Sequence, residues 1–280
     1  MMIEDQIRAL SSDLPPAPDV LAVIARGSSL KHRRRIRRLA TAGALVALAA
    51  TVIPVISFGG LSPSSTSQAA VFLTQVSARA GSQTAPDASK AAYWYSKMQI
   101  DYGSLHFTRE SWLGHYTRGH LIQPDGVIGT TSLDVAQFPC GSTSITWDQL
   151  FALPRDPGAL YDWMKNAIGS AGHDPDSEMF VAVGDLLRES PAPPSLRQAL
   201  YLVAAKIPDV SLTTGLHDSL GRSVAAVSRP DPNGGGQIRY LIDPNTGALL
   251  GEQDVNTDST MGFQSMLLTN GPVPTLNSRV

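Results

Sequence analysis

The fold is decided by VSLTTGLHDSLGRSVAAVSRPDPNGGGQIRYLIDPNTGALLGEQDV, residues Val210 to Val255. Four short β-like runs, Val210 to Leu216, Arg222 to Ser228, Gln237 to Asp243 and Ala248 to Val255, alternate with three polar breaks. The breaks are Asp218-Ser219-Leu220-Gly221, Asp231-Pro232-Asn233-Gly234 and Asp243-Pro244-Asn245-Thr246-Gly247. Asp and Asn hydrogen-bond their own backbone in turns and Gly takes the left-handed conformations, so each break reads as a chain reversal and the whole as consecutive hairpins. Ile238, Tyr240 and Ile242 alternate with Arg239 and Leu241, the pattern of a sheet with one covered face.

Upstream lies the material to cover it. Asp156 before Pro157 is an N-cap followed by a proline at the first helical position, and Leu160, Trp163, Met164, Ala167 and Ile168 fall on one face. Glu178 to Glu189 carries a stripe of Phe180, Val183, Leu186 and Leu187. A third helix starts at Pro193-Pro194 with Leu196, Ala199, Leu200, Val203 and Ile207 on one side. Leu200 is expected against Ile238, Tyr240 or Ile242. Ala69 to Ala80 reads as a further helix, and Tyr93 to Met98 and Glu110 to Ile122 as strands. Phe263 to Thr269 adds a last strand, and residues 271–280 are expected to fray. The expected class is α+β: an antiparallel β-sheet packed against helices.

Further upstream, Leu39 to Gly59 is a run of 21 residues without a charge, preceded by KHRRRIRR at residues 31–38. A helix of that length spans about 30 Å, the thickness of a bilayer core. A cleaved secretory signal competes, but 38 residues precede the apolar core, more than such signals carry. The expectation is a single transmembrane helix, with Lys31, Arg33, Arg34, Arg35, Arg37 and Arg38 holding the N-terminus cytoplasmic at the cell membrane. The domains are then a cytoplasmic tail at 1–38, the span at 39–59, a linker at 60–68, an extracytoplasmic domain at 69–270 and a tail at 271–280. The lipid bilayer is the first partner. Two short helical patches in the tail make a cytoplasmic protein a second, and an envelope ligand a third.

Residues 1–38 carry eight Lys or Arg against four Asp or Glu, leaving the rest of the chain at −6 within a total of −2. A mildly acidic domain lacks the basic footprint that phosphate backbones require, so nucleic acid is not a partner. The lone Cys140 excludes an internal disulfide.

The run Asp185 to Tyr201 (DLLRESPAPPSLRQALY), with Ile207 to Val210, Asp218 to Arg222 and Ile242 to Glu252, resembles an actinobacterial family of uncharacterised single-pass membrane proteins. Some of its members are encoded near alternative sigma factors, which implies envelope-stress signalling. The helices on hairpins ending in D-P-x-T-G are also similar to lipoprotein carriers and to sensor domains of anti-sigma regulators. This likeness implies fold alone.

No chemistry stands out. His115 and His120 are five apart, which sends them to opposite faces of an extended strand, and His106 adds no acidic or thiol ligand, so no metal is expected. G-x-S-x-G, P-loop and G-x-G-x-x-G motifs are missing, no cofactor is implied, and Gly234-Gly235-Gly236 reads as a hairpin tip. Tyr93, Trp94, Tyr95, Tyr102, Phe107, Trp112 and Tyr116 fall within 24 residues of a chain only 6% aromatic. Tyr93, Tyr95, Trp112 and Tyr116 are the candidate lining of an apolar pocket, with ordinary core packing the alternative. Two functions follow: a membrane-anchored extracytoplasmic sensing or binding protein, or a tethered carrier of lipid or another apolar ligand. Neither is an enzyme.

Overall fold

Aspartates close the hairpins as their turn chemistry predicts. Asp218 Oδ1 accepts the backbone N–H groups of Leu220 and Arg222, each at 2.9 Å, and Asp243 accepts Asn245 N–H and the Thr246 hydroxyl at 2.8 Å. Gly221 and Gly247 then take φ of 77° and 72°, which a side chain would resist. The computed structural model describes residues 65–124, 129–141, 143–169, 174–231 and 235–280. The strands flanking these turns are β7 (Ser211–His217), β8 (Ser223–Pro230), β9 (Gln237–Ile242) and β10 (Leu249–Val255), and β11 runs Met261–Val273.

The first half builds a second meander of β1 (Tyr93–Tyr102), β2 (Leu105–Gly114), β3 (Gly119–Ile122) and β4 (Thr130–Leu133). The single strand expected over Glu110 to Ile122 is split by a turn after Gly114. A Cβ on Gly114 would meet the Thr117 carbonyl oxygen at 2.1 Å and one on Gly119 the Trp112 carbonyl oxygen at 1.8 Å, so only glycines admit so tight a return. β1 pairs with β11, joining the meanders into one nine-stranded antiparallel sheet ordered β4-β3-β2-β1-β11-β10-β9-β8-β7. A separate hairpin consists of β5 (Gln137–Cys140) and β6 (Thr143–Thr146).

The helices are α1 (Ser65–Ser82), α2 (Trp147–Ala152), α3 (Pro157–Ile168), α4 (Pro175–Glu189) and α5 (Pro194–Ala204). Asp156 caps α3 by accepting from Gly158 and Ala159 N–H, as its sequence predicts, and Thr146 forms a capping box with Gln149 on α2. α4 is buried on every side from Glu178 to Arg188, more than its apolar stripe implies. It lies between the β5–β6 hairpin, α3, α5 and β10. α5 packs on α1, α3 and α4, and Leu200 in its middle is fully buried. Tyr201 and Ala204, one position round, meet the sheet.

The architecture is α+β, an antiparallel sheet packed against helices. The transmembrane helix joined to it in the sequence reading is corrected, because no helix among the described residues is long and apolar enough to cross a membrane. The longest, α1 with 18 residues, is amphipathic: Ala69, Phe72, Leu73, Val76 and Ala80 are buried, whereas Val71 is 59% exposed and Arg79 closes the last turn. Residues 39–59 lie outside the described residues, as do Lys31, Arg33, Arg34, Arg35, Arg37 and Arg38. The single-pass topology and the cell-membrane localisation with a cytoplasmic N-terminus are withdrawn with it.

Candidate functional site: an apolar seam between helices and sheet

The helical layer and the sheet meet along a seam built from six elements. α1 contributes Leu73. α4 contributes Phe180, Val183 and Leu187, three residues at helical spacing. α5 adds Tyr201 and Ala204. From the sheet, Val227 of β8, Tyr240 and Ile242 of β9 and Leu249 of β10 face them, in register: Val227 opposite Tyr240, and Ile242 opposite Leu249. They leave a cavity of about 10 Å³, room for a single water and with nothing to bind one. The two phenols turn their hydroxyls to backbone carbonyls, Tyr201 to Gly247 at 2.8 Å and Tyr240 to Phe180 at 3.4 Å. Burial pushes the Tyr201 phenol well up, so it stays neutral. The lining thus carries no charge.

Charges gather one strand over. Glu252 lies opposite Tyr240 in the β9–β10 register and is fully buried, paired with Arg188 of α4. Arg188 also binds Asp185 at 3.1 Å and Glu189 at 2.9 Å, and Arg109 of β2 lies 3.8 Å from Glu189. Buried ions hold only when each finds partners, and this cluster fixes how α4 sits on the sheet at one end of the seam.

The expected pocket residues lie elsewhere. Tyr95 and Trp112 are fully buried with ring centroids 5.0 Å apart, packed with Val273, and Tyr93 is partly buried against them. Tyr116 stands apart, 72% exposed, stacked on His115 and bonded to Asp148. Register puts the Tyr95–Trp112 cluster on the face away from the seam. Leu241, next to Tyr240, packs with Met266, Met266 lies opposite Gln99, and Tyr95 is four residues from Gln99 on the same side of β1. The three histidines also separate. His106 pairs with Asp101 at 2.9 Å, His115 lies between the Ala91 carbonyl and Asp148, and His120 rests edge-on to Trp112. Among the described residues no group of three or more His, Cys, Asp or Glu is placed to hold a metal. Cys140 is buried, and desolvation with the nearby Asp185 pushes its thiol up to about 12, the opposite of an activated nucleophile.

No family model matches the chain and no curated protein matches it. Solved structures do. MucB is 13% identical, with a TM-score of 0.34 over 75% of this chain and 60% of that one. The MucA/MucB complex of Pseudomonas aeruginosa is 14% identical, with a TM-score of 0.35 over 74% and 59%. An uncharacterized conserved protein from Thermus thermophilus is 7% identical, with a TM-score of 0.33 over 74% of this chain and 89% of that one. The LolA superfamily protein NE2245 from Nitrosomonas europaea is 8% identical, with a TM-score of 0.23 over 72% and 94%. This chain spans 60% of the length of MucB. The resemblance to single-pass membrane proteins drawn from residues 185–252 is corrected: no family model supports it. The membrane-anchored envelope sensor and its sigma-factor link fall with it.

Proposed function

We propose that the chain is a binding protein, not an enzyme, that takes an acyl chain in the seam beneath α1. The uncharged lining drawn from three helices and three strands carries this reading. α1 is the part that moves: α4 is pinned by its ion cluster, whereas α1 lays Ala69, Phe72, Leu73, Val76 and Ala80 on the layer beneath it and sets the Arg79 guanidinium on the Pro244 carbonyl at its end. Lifting α1 exposes Phe72, Leu73 and Val76, at a cost of about 5–8 kcal/mol. An acyl chain of about twelve methylenes regains about 10 kcal/mol on entering, at about 0.8 kcal/mol each. The exchange is favourable only for a long chain, which sets the ligand class. A protein partner belongs to the same proposal; MucB, to which this chain is similar, is solved in complex with MucA(peri).

The test is a fluorescence titration of the full chain with dansyl-undecanoic acid. Saturable enhancement is expected, and Leu73→Ala, which lightens the lid and widens the seam, should tighten binding several-fold. Val71→Ser, on the exposed side of α1, should leave it unchanged. No saturable enhancement with either the wild type or the folded Leu73→Ala protein overturns the proposal.

A further inference from the structure

On the sheet face away from the seam, residues after β11 cross β1, β2 and β3. Ser278 N–H returns to the Thr275 carbonyl in a turn, and Leu276 packs on the Tyr95, Trp112 and Val273 cluster. Trp112 Nε1 donates to the Ser278 carbonyl at 2.6 Å. The Arg279 guanidinium lies over the Trp112 ring at 5.3 Å while its Nε donates to Glu110 Oε2 at 2.6 Å. The same carboxylate oxygen accepts the Tyr95 hydroxyl at 2.9 Å, which orients it.

The two sides of this contact differ in kind. The receiving side is rigid sheet: Tyr95 and Trp112 stand opposite each other in the β1–β2 register, with Glu110 two residues along the same face. It offers an apolar seat, an indole N–H for a main-chain carbonyl, and an aromatic shelf ending in a carboxylate for a guanidinium. The arriving side is a short irregular segment, and its arginine is 52% exposed at the side chain. Such a surface reads a short turn-forming segment through one apolar anchor and one cation, the cation–π and charge-assisted contacts setting specificity.

We propose that this groove is a peptide-recognition site for a segment of a protein partner with the pattern Leu-x-x-Arg, and that Leu276 to Arg279 is its occupant in cis. Charge selects the partner: Glu110 rejects an acid at the arginine position, and the apolar seat rejects a polar residue three positions before it. A tethered occupant acts at an effective concentration on the order of millimolar, so it weakens the apparent binding of every free peptide by the ratio of that concentration to its own dissociation constant. The seam plays no part in this contact, and the two proposals fail independently.

The probe is a fluorescein-labelled peptide VPTLNSRV, residues 273–280, titrated by anisotropy against the full chain carrying Leu276→Ser with Arg279→Ala. It should bind at least about tenfold more tightly than to the wild type, whose groove is filled. The peptide with alanine for arginine should bind about tenfold more weakly than the parent peptide, and adding Glu110→Gln to the protein should shrink that difference to what the Trp112 ring alone contributes. Arg279→Ala alone, a change at a half-exposed site, repeats the measurement in a background expected to fold. Absence of saturable binding to a folded opened variant, or equal binding of both peptides, overturns the proposal. Wild-type self-association in sedimentation velocity that Arg279→Ala abolishes also overturns it, by making a second copy the occupant.

Discussion

Gly184→Ala separates the helix-on-sheet packing from simple helix propensity, because the two push in opposite directions. Gly184 sits in the middle of α4, where alanine would stabilise an isolated helix by about 1 kcal/mol. In the folded chain its Cβ would fall 1.9 Å from Tyr240 Cζ and 2.0 Å from the hydroxyl oxygen. Tyr240 has nowhere easy to go. It is 4% exposed, its ring lies 4.7 Å from that of Phe180, and its hydroxyl reaches the Phe180 carbonyl. Either the ring swings out and strands its hydroxyl, or α4 rises and strains the Arg188–Glu252 pair. Overpacking costs about 1–3 kcal/mol and a stranded buried hydroxyl about as much again, so after the helix gain of about 1 kcal/mol the net loss is about 1–5 kcal/mol. In a urea titration followed by circular dichroism this lowers the midpoint by about 1 M or more. Tyr240→Leu removes the obstructing atoms, so the double variant should be more stable than the sum of the single losses allows, with a coupling of at least about 1 kcal/mol. A Gly184→Ala protein more stable than wild type by the propensity gain alone would falsify the close approach of α4 to β9.

Leu200→Ala should cost about 2–5 kcal/mol in the same assay, whereas Gln198→Ala, exposed on α5, should stay within about 0.5 kcal/mol; equal effects would mean that α5 is not held by its neighbouring helices. Acid should loosen residues 274–280 from the sheet in two stages. Burial, with Arg279 nearby, holds the His120 imidazole below its ordinary 6.5, so its contribution is complete above that value and is lost as pH falls through the folded pKa. Burial alone would raise the Glu110 carboxyl, but the bonds from Arg279 and Tyr95 outweigh it and the net shift is below the ordinary 4.5. Its stabilisation is present above 4.5 and is lost as pH falls through the lowered value. The fall in urea midpoint on acidification should therefore be smaller in Arg279→Ala than in wild type; the same slope in both would dissociate these groups from the contact.

What is legible in the sequence follows the range of the interactions. Asp218 and Asp243 bond to backbone and side chains within four residues, so their turns can be read from the residues that make them. The pairing of β1 with β11 joins residues such as Trp94 and Pro272, and no local pattern announces it. The burial of α4 is half legible for a related reason. Phe180, Val183 and Leu187 form a stripe that reads as one covered face, but Asp185 and Arg188 read as solvent-facing because the partner that permits their burial, Glu252, is supplied by β10. The aromatic cluster shows the same limit. Tyr95 and Trp112 meet, but Trp94 and Tyr95 are consecutive on a strand and must point to opposite faces, while Tyr116 falls in the turn that the two glycines create. A count of aromatics in a window therefore merges residues that the pleat separates.

Residues 271–280 read as a fraying end because Pro, Ser and Asn offer no stripe and no alternation. Their order comes from the receiving surface: Trp112 lends an indole N–H, Glu110 a carboxylate and Tyr95 a ring, all brought together by the β1–β2 register. The same asymmetry holds across the sheet, where α1 is an amphipathic helix whose apolar side is satisfied by a lining fixed by α4 and the strands. On both faces a surface built on the sheet is matched to a segment laid against it. The two surfaces differ in what they ask of it: the seam offers only apolar area and so selects for length, whereas the outer groove places a carboxylate at one end of an aromatic shelf and so selects for sequence.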